Sequence, residues 1–263
     1  MRESLLSIYR SLFARGWASR FNYFVLDCGL RGLGVMNHGS DHSSGERYLI
    51  NDFLPEKVGQ SPVLFDVGAN VGNYSAALIQ RFPEARVFAF EPNPTTFSRL
   101  RATHGHRVDC QNLALSDVPG EISLYDRQGS QGTEHASVYG DVISQIHGIP
   151  AQRTAITATT IDLFCEQNGI VRIDFLKIDT EGHELGVASG ASRMISEDRI
   201  GVIQVEFNEM NLISRTFCRD LRQKFPRHIF YRLLPAGLLP MSSKPLYSEL
   251  FGFQNLVGLR SQS

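Results

Sequence analysis

The chain has 263 residues, 42% of them hydrophobic and 20% charged, an ordinary composition for a globular protein with room for one large α/β domain plus an N-terminal addition. The net charge of −1 and pI near 6.7 exclude a strong overall field that would gather nucleic acid or anionic lipid non-specifically, although they leave room for a local basic patch. Cys28, Cys110, Cys165 and Cys218 form no C-x-x-C pair and no His cluster joins them, so free thiols are expected rather than zinc ligands or a disulfide framework.

Residues 1–58 read as a helical accessory segment. Leu5, Ile8, Leu12 and Phe13 share one helical face, and a second apolar stretch runs from Phe21 to Leu30. Arg10 and Arg15 interrupt the apolar run, so no signal-peptide core is expected. No stretch reaches the roughly 20 apolar residues of a membrane span, and the expected location is the cytoplasm. The first helix is expected to pack on its own domain or on a second copy in a homodimer; the alternative, with Arg2, Arg10, Arg15 and Arg20 beside its apolar face, is contact with a membrane surface. Gly39–Gly45 reads as a loop, and Glu46–Leu54 as a short helix ended near Pro55.

From residue 59 the pattern becomes β-α-β-α-β. Val63–Val67 is a short apolar strand, 73–82 a helix, Arg86–Phe90 a strand, 94–103 a helix, and 107–115 a third strand. That order predicts a parallel sheet with right-handed crossovers, an α/β Rossmann-like domain over 59–263. Glu121–Tyr125 alternates as an added strand, and 127–150 reads as a loop. Further strands are expected at 173–178 and 200–205, with helices at 160–167, 183–196 and 214–225. Strands at 228–234 and 251–259, joined by the turn 235–245, predict an antiparallel hairpin at a sheet edge.

Two places carry chemistry. Asp66-Val-Gly-Ala-Asn-Val-Gly72 joins a strand to a helix, with Gly68 and Gly72 expected to let the backbone approach a ligand. Glu91, 25 residues after Asp66, stands where an acid can accept the hydroxyls of a ribose. The turn has Asn70 where a dinucleotide fingerprint has a glycine, and the carboxylate of Asp66 disfavours a pyrophosphate while suiting a ligand with an ammonium and a sulfonium. S-adenosyl-L-methionine has both. In the second place, Leu176-Lys-Ile-Asp-Thr-Glu-Gly-His-Glu184, a buried strand delivers Asp179 and Glu181 at its carboxyl end; helix capping by Asp179 or Thr180 is the plainer reading, and both can hold.

These stretches, with Ala89-Phe-Glu-Pro-Asn93, Asn112-Leu-Ala-Leu-Ser-Asp117, Gly120, Thr160-Ile-Asp-Leu163, Gly190-Ala191 and Val205-Glu206, resemble the FkbM family of methyltransferases over residues 46–258. Gly186-Val-Ala-Ser189 departs from the family's more usual apolar pattern before Gly190, which bears on local packing. The resemblance implies a class I methyltransferase fold, a mostly parallel seven-stranded sheet with an antiparallel closing strand. It also implies S-adenosyl-L-methionine as methyl donor and O-methylation of a hydroxyl on a sugar, glycan or secondary metabolite. By position it puts Asp66, Gly68, Asn70 and Asn73 around the methionine part, Glu91 on the ribose, and Ala114, Leu115, Ser116 and Asp117 near the adenine. Asn93 and Asp179 join the cofactor set by the same matching.

An alcohol acceptor needs somewhere for its proton to go. The candidates are Asp179, Glu181, His183 and Glu206, with the two acids after the strand ahead of His183, which is expected to face solvent; His135 is a further possibility. Asp179, Glu181 and Glu206 are hard oxygen ligands, but no metal signature is present and none is entered. A nucleic-acid acceptor is disfavoured by the charge balance. The competing readings are a cofactor-binding module without chemistry and an NAD-dependent oxidoreductase.

Overall fold

The structure, a computed structural model, describes residues 1–127, 136–142 and 151–261. Two helices, α1 (Arg2–Phe13) and α2 (Ser19–Gly32), open the chain, followed by the short α3 (Asp41–Ser44) and α4 (Glu46–Tyr48), which continues as one wide turn and one tight turn through Glu56. Then come β1 (Val63–Val67), α5 (Asn73–Arg81), β2 (Arg86–Phe90), α6 (Pro94–His104), β3 (Asp109–Gln111), β4 (Ala114–Leu115), β5 (Gly120–Arg127) and β6 (Ala151–Thr159). The second half holds α7 (Ile161–Gln167), β7 (Ile173–Ile178), α8 (Glu184–Ser189), α9 (Ser192–Ser196), β8 (Ile200–Phe207), α10 (Met210–Ser214) and α11 (Cys218–Lys224). It closes with β9 (His228–Leu234), β10 (Gly237–Pro240), α12 (Pro245–Ser248) and β11 (Gln254–Arg260).

Eight strands form the main sheet in the order β10-β9-β11-β8-β7-β1-β2-β3. The five from β8 to β3 run parallel, and β11 pairs antiparallel with both β8 and β9. This is the expected Rossmann-like α/β fold, with two corrections. The sheet has eight strands rather than seven, because the chain turns back after β9 and Gly237–Pro240 adds β10. The hairpin partner at the edge is therefore β10, whereas β11 inserts between β8 and β9 and is buried along most of its length.

The strands are apolar on both faces, as a covered parallel sheet requires. Phe65, Phe88, Phe90, Leu176, Ile178, Ile203 and Val205 pack on one side with Ile161, Phe164, Val187, Ala188, Met194, Leu221 and Phe225. Leu64, Val87, Ala89, Phe175, Val202 and Val257 pack on the other with Leu78, Phe82 and Leu100, and with Leu49, Ile50 and Leu54 from the segment after α4. Leu49, Ile50 and Leu54 thus occupy core positions, at about 2 kcal/mol for each.

Several expected helices are broken. The 183–196 helix is two pieces parted at Gly190, where a Cβ would come within 2.0 Å of the Ser116 carbonyl oxygen. The 214–225 helix gives way to α10 and α11, parted by Arg215 in the left-handed region. The third strand ends at Gln111, and Ala114–Leu115 crosses to a second sheet, β4-β6-β5, whose small core is Ala114, Leu124, Ile156 and Ala158. Of the expected loop at 127–150, residues 128–135 and 143–150 lie outside the described residues, and His135 with them. Neither α1 nor α2 buries a residue, so the expected packing of the first helix on its own domain is not what the structure has. Cys165 and Cys218 are buried free thiols, while Cys28 is exposed. No helix among the described residues is long and apolar enough to cross a membrane.

Candidate active site

A cleft of about 1250 Å³ opens over the carboxyl ends of β1, β2, β7 and β8, where open α/β sheets receive ligands. At its β1–β2 end, the turn after Val67 is held by its own chain. The N–H groups of Gly68 and Ala69 donate to the Phe90 carbonyl at 3.0 and 2.9 Å, and Gly72 donates to the Ala69 carbonyl at 2.9 Å. Asn70 donates from its backbone to Glu91 Oε2 at 3.0 Å, and Val71 donates to Asn70 Oδ1 at 2.6 Å. Every N–H from Gly68 to Gly72 is therefore taken.

The glycines have a packing role in this turn. A Cβ on Gly68 would lie 1.7 Å from the Asp179 carbonyl oxygen of the neighbouring strand end, and one on Gly72 would meet Leu100 and His104 at 2.6 Å. Both have positive φ, 80° and 92°. Gly68, Asn70 and Asn73 do line the cleft.

Glu91 lines it too, with little of its surface exposed. Its Oε1 accepts from the Asn93 N–H at 2.7 Å while Oε2 holds Asn70. Burial, against those two bonds, pushes its carboxyl up to about 7. Asn93 caps α6, accepting from Thr95 and Thr96, and is not on the cleft wall. Leu113, Ala114 and Leu115 form the apolar floor beyond Glu91. Ser116 and Asp117 stand behind that floor: Ser116 Oγ donates to Asp117 Oδ1 at 3.0 Å and lies 2.9 Å from His183 Nε2.

On the face covered by α5, a polar row crosses the sheet at one register level: Asp66 beside Lys177, and Lys177 beside Gln204. Asp66 is fully buried beneath the cleft, accepting from Ser75 Oγ at 2.7 Å, with its other oxygen 3.5 Å from Lys177 Nζ. Lys177 also pairs with Asp179 at 3.0 Å and sits 4.8 Å over the Tyr74 ring. Burial opposes its charge, but Asp179, Asp66 and Glu46 outweigh that and raise its pKa. Tyr74 donates to Gln204, and Gln204 donates to Glu46 at 3.1 Å and Asn255 at 2.9 Å.

At the β7–β8 end, Asp179, Glu181, His183 and Glu206 all line the cleft. Glu206 reaches it from β8 with protein on its other sides. That enclosure, then repulsion from Asp179 and Glu181, holds its carboxyl well above the usual range. Asn208 Nδ2 bridges the pair, donating to Glu206 Oε1 at 3.1 Å and Glu181 Oε2 at 3.2 Å. Glu181 itself has φ 51°, a left-handed backbone that costs a non-glycine residue about 1 kcal/mol.

The capping expectation here is corrected. His183 is the N-cap of α8 and makes no side-chain cap; the residue that organises the loop is Glu184. Its Oε1 accepts from the Thr180 and Gly182 N–H groups at 3.1 and 2.9 Å, and its Oε2 from Asn211 at 2.7 Å. His183 does not face solvent. It is clasped between Ser116 and the Tyr139 hydroxyl (3.3 Å), and burial lowers its pKa. Gly186 makes that possible, since a Cβ there would lie 2.4 Å from the imidazole. The departure at Gly186 is thus the space His183 occupies. Among the described residues no group of three or more His, Cys, Asp or Glu is placed to hold a metal ion.

Sequence reasoning missed Lys177, Tyr74, Gln204, Glu46 and Asn208. A signal existed for three of the polar residues beneath the cleft: one polar residue stands inside each apolar strand, in Leu-Phe-Asp66-Val, Phe-Leu-Lys177-Ile and Val-Ile-Gln204-Val, all at one register level.

The strand order, the turn after β1 and the acid ending β2 define a class I methyltransferase-type domain. The chain belongs to the FkbM methyltransferase family, whose domain model, Methyltransferase FkbM domain, matches residues 66–232. Among its relatives, a 2-O-methyltransferase, NoeI, from Sinorhizobium fredii is 24% identical over 57% of this chain and 65% of its own length. A hexuronic acid methyltransferase, AglP, from Haloferax volcanii is 30% identical over 61% of this chain and 62% of its own. The chain therefore spans just under two thirds of these relatives. A crystal structure of an FkbM methyltransferase from Methylobacillus flagellatus covers 80% of this chain and 47% of that one at 16% identity, with a TM-score of 0.48.

Proposed function

We propose that the chain transfers a methyl group from S-adenosyl-L-methionine to a hydroxyl of a sugar, glycan or secondary metabolite. The observation that carries this reading is the β1 turn. The five N–H groups of the turn itself, Gly68 to Gly72, are bonded within the protein, and the buried carboxylate of Asp66 beneath it disfavours a pyrophosphate. A phosphate-free nucleoside needs none of them. Glu91 keeps a lone pair on each oxygen for ribose hydroxyls, and the apolar floor Leu113–Leu115 suits a purine. The acids Glu46, Asp179 and Glu181 favour a cationic ligand in the same cleft. These residues fit the cofactor, although Asp66, Asn93, Ser116 and Asp117 would support its site from behind the wall.

When bound, S-adenosyl-L-methionine supplies a methyl carbon already activated by its sulfonium. The protein then has to align an acceptor oxygen and hold its proton. Asp179 is the residue for the proton: Lys177 occupies Oδ2, which leaves Oδ1 to accept the acceptor's O–H. Glu206 stands beside it, its carboxyl held above the usual range by burial and by the nearby Asp179 and Glu181. Glu181, fixed through Asn208, would orient the acceptor. A hydroxyl acceptor fits the 2-O-methyltransferase NoeI and a sugar acid the hexuronic acid methyltransferase AglP, and the net charge of −1 fits a small acceptor better than nucleic acid.

The test is calorimetric titration of S-adenosylhomocysteine and, separately, NAD into the wild-type protein. Binding of the homocysteine compound, followed by methyl transfer to a hydroxylated acceptor, is the expected result. Binding of NAD alone would overturn the reading. Homocysteine-compound binding with no transfer across a panel of sugars and uronic acids would leave a binding module.

A further inference from the structure

The apolar surface of the molecule is unevenly spread. Of the nineteen large apolar residues that are exposed among the described residues, twelve fall within the first 26 positions. They belong to one helical hairpin. Phe13 holds it together, its ring 5.1 Å from Phe21 and 6.4 Å from Trp17, while Asn22 accepts from the Tyr9 hydroxyl and donates to the Phe13 carbonyl. With the hairpin closed, Leu5, Leu12, Trp17, Tyr23 and Phe24 still point outward, Trp17 at 76% exposure and Phe24 at 64%. Scattered apolar residues need no explanation, but twelve exposed ones within a single hairpin mark a partner.

Charge selects the partner. Residues 1–32 carry five arginines against Glu3 and Asp27, a net +3, while the whole chain carries −1. A second copy docking by the same hairpin would bring +3 against +3. An anionic lipid surface offers the opposite charge together with an apolar layer. The helices have 12 and 14 residues, each too short to span a bilayer but long enough to lie in its interface, where arginines can meet anionic headgroups and aromatic residues the apolar boundary.

We propose that the α1–α2 hairpin docks the protein on an anionic membrane surface. The docked element leads straight to the cleft, because His38–Asp41, a few residues beyond α2, form part of the cleft wall.

Trp17 is the chain's single tryptophan, so its fluorescence reports the hairpin without labelling. The full chain would be mixed with phosphatidylcholine vesicles, with and without about 30 mol % phosphatidylglycerol, and followed by emission and by co-sedimentation. The expected result is a blue shift and co-sedimentation with the anionic vesicles, roughly 100-fold tighter than with neutral ones and weakened by salt. The Leu12→Glu/Phe24→Glu variant should lose binding at least tenfold while its affinity for S-adenosylhomocysteine stays at the wild-type value, which certifies its fold. No shift and no co-sedimentation overturn the proposal. So does a blue shift that grows with protein concentration in the absence of lipid, alongside a dimer by light scattering, since the hairpin would then be a face between two copies.

Discussion

The two ends of the cleft are built on opposite plans. At the β1–β2 end every donor of the turn is already paired and Glu91 ties the turn to the start of α6. At the β7–β8 end three acids converge, buried Lys177 pairs with one of them, Asp179, and Glu181 sits on a left-handed backbone. The first end is closed and self-consistent, as a site for an invariant ligand can be. The second gathers like charge and a left-handed backbone at Glu181, which an acceptor and its departing proton could relieve. On the proposed function, the first end would take the cofactor and the second the chemistry.

Breaking the second end should have the largest effect. Asp179→Asn keeps the shape and removes the base, and kcat should fall by roughly 100- to 10,000-fold in a labelled-methyl assay. A drop of less than threefold would move the proton to Glu181. Lys177→Met tests the support beneath both ends. It leaves Asp66 buried without its cation, and the expected cost is about 3–5 kcal/mol, or roughly 10 °C in Tm by calorimetry.

Glu91→Gln acts at the first end: its amide nitrogen cannot accept one of the two backbone N–H groups Glu91 holds, so the fold should lose about 1–3 kcal/mol and titration should show S-adenosylhomocysteine binding reduced about 10- to 100-fold. The pH dependence sharpens the point. The folded carboxyl of Glu91 titrates near 7, above its ordinary value, so the ligand-free fold binds the extra proton. That contribution to stability is present at pH 4.5 and is lost as pH rises towards 7. Ribose hydroxyls favour the ionised form, so affinity for S-adenosylhomocysteine should climb from pH 6 to pH 8 in the wild type and stay flat in Glu91→Gln. Smallest is Gly186→Ala, which should cost about 1–2 kcal/mol by displacing the His183 ring. Denaturant titration should find most of that cost gone in a His183→Ala background.

Much of this was readable in the chain. The β-α-β order, the Asp66–Gly72 turn, Glu91 and the acids after β7 follow from apolar runs, turn residues and spacing, which are local signals. What escaped depends on distant partners. The place of β11 between β8 and β9 is a matter of sheet order, to which neither strand's own pattern refers. The strand Ala151–Thr159 is a run of threonine and alanine, too weakly apolar to stand out until it pairs with Gly120–Arg127 over eight residues. Glu184 reads as a helix-start acid, and only the fold shows it gathering Thr180, Gly182 and Asn211.

The fully bonded turn after β1 has a thermodynamic consequence. A loop whose backbone is fixed before its ligand arrives has no conformational freedom left to surrender, a cost of about 1–2 kcal/mol per residue for a loop that must order. If the cofactor docks there as proposed, binding at that end would be a rigid event, with a heat-capacity change set mainly by the apolar surface it covers, Leu113–Leu115 included.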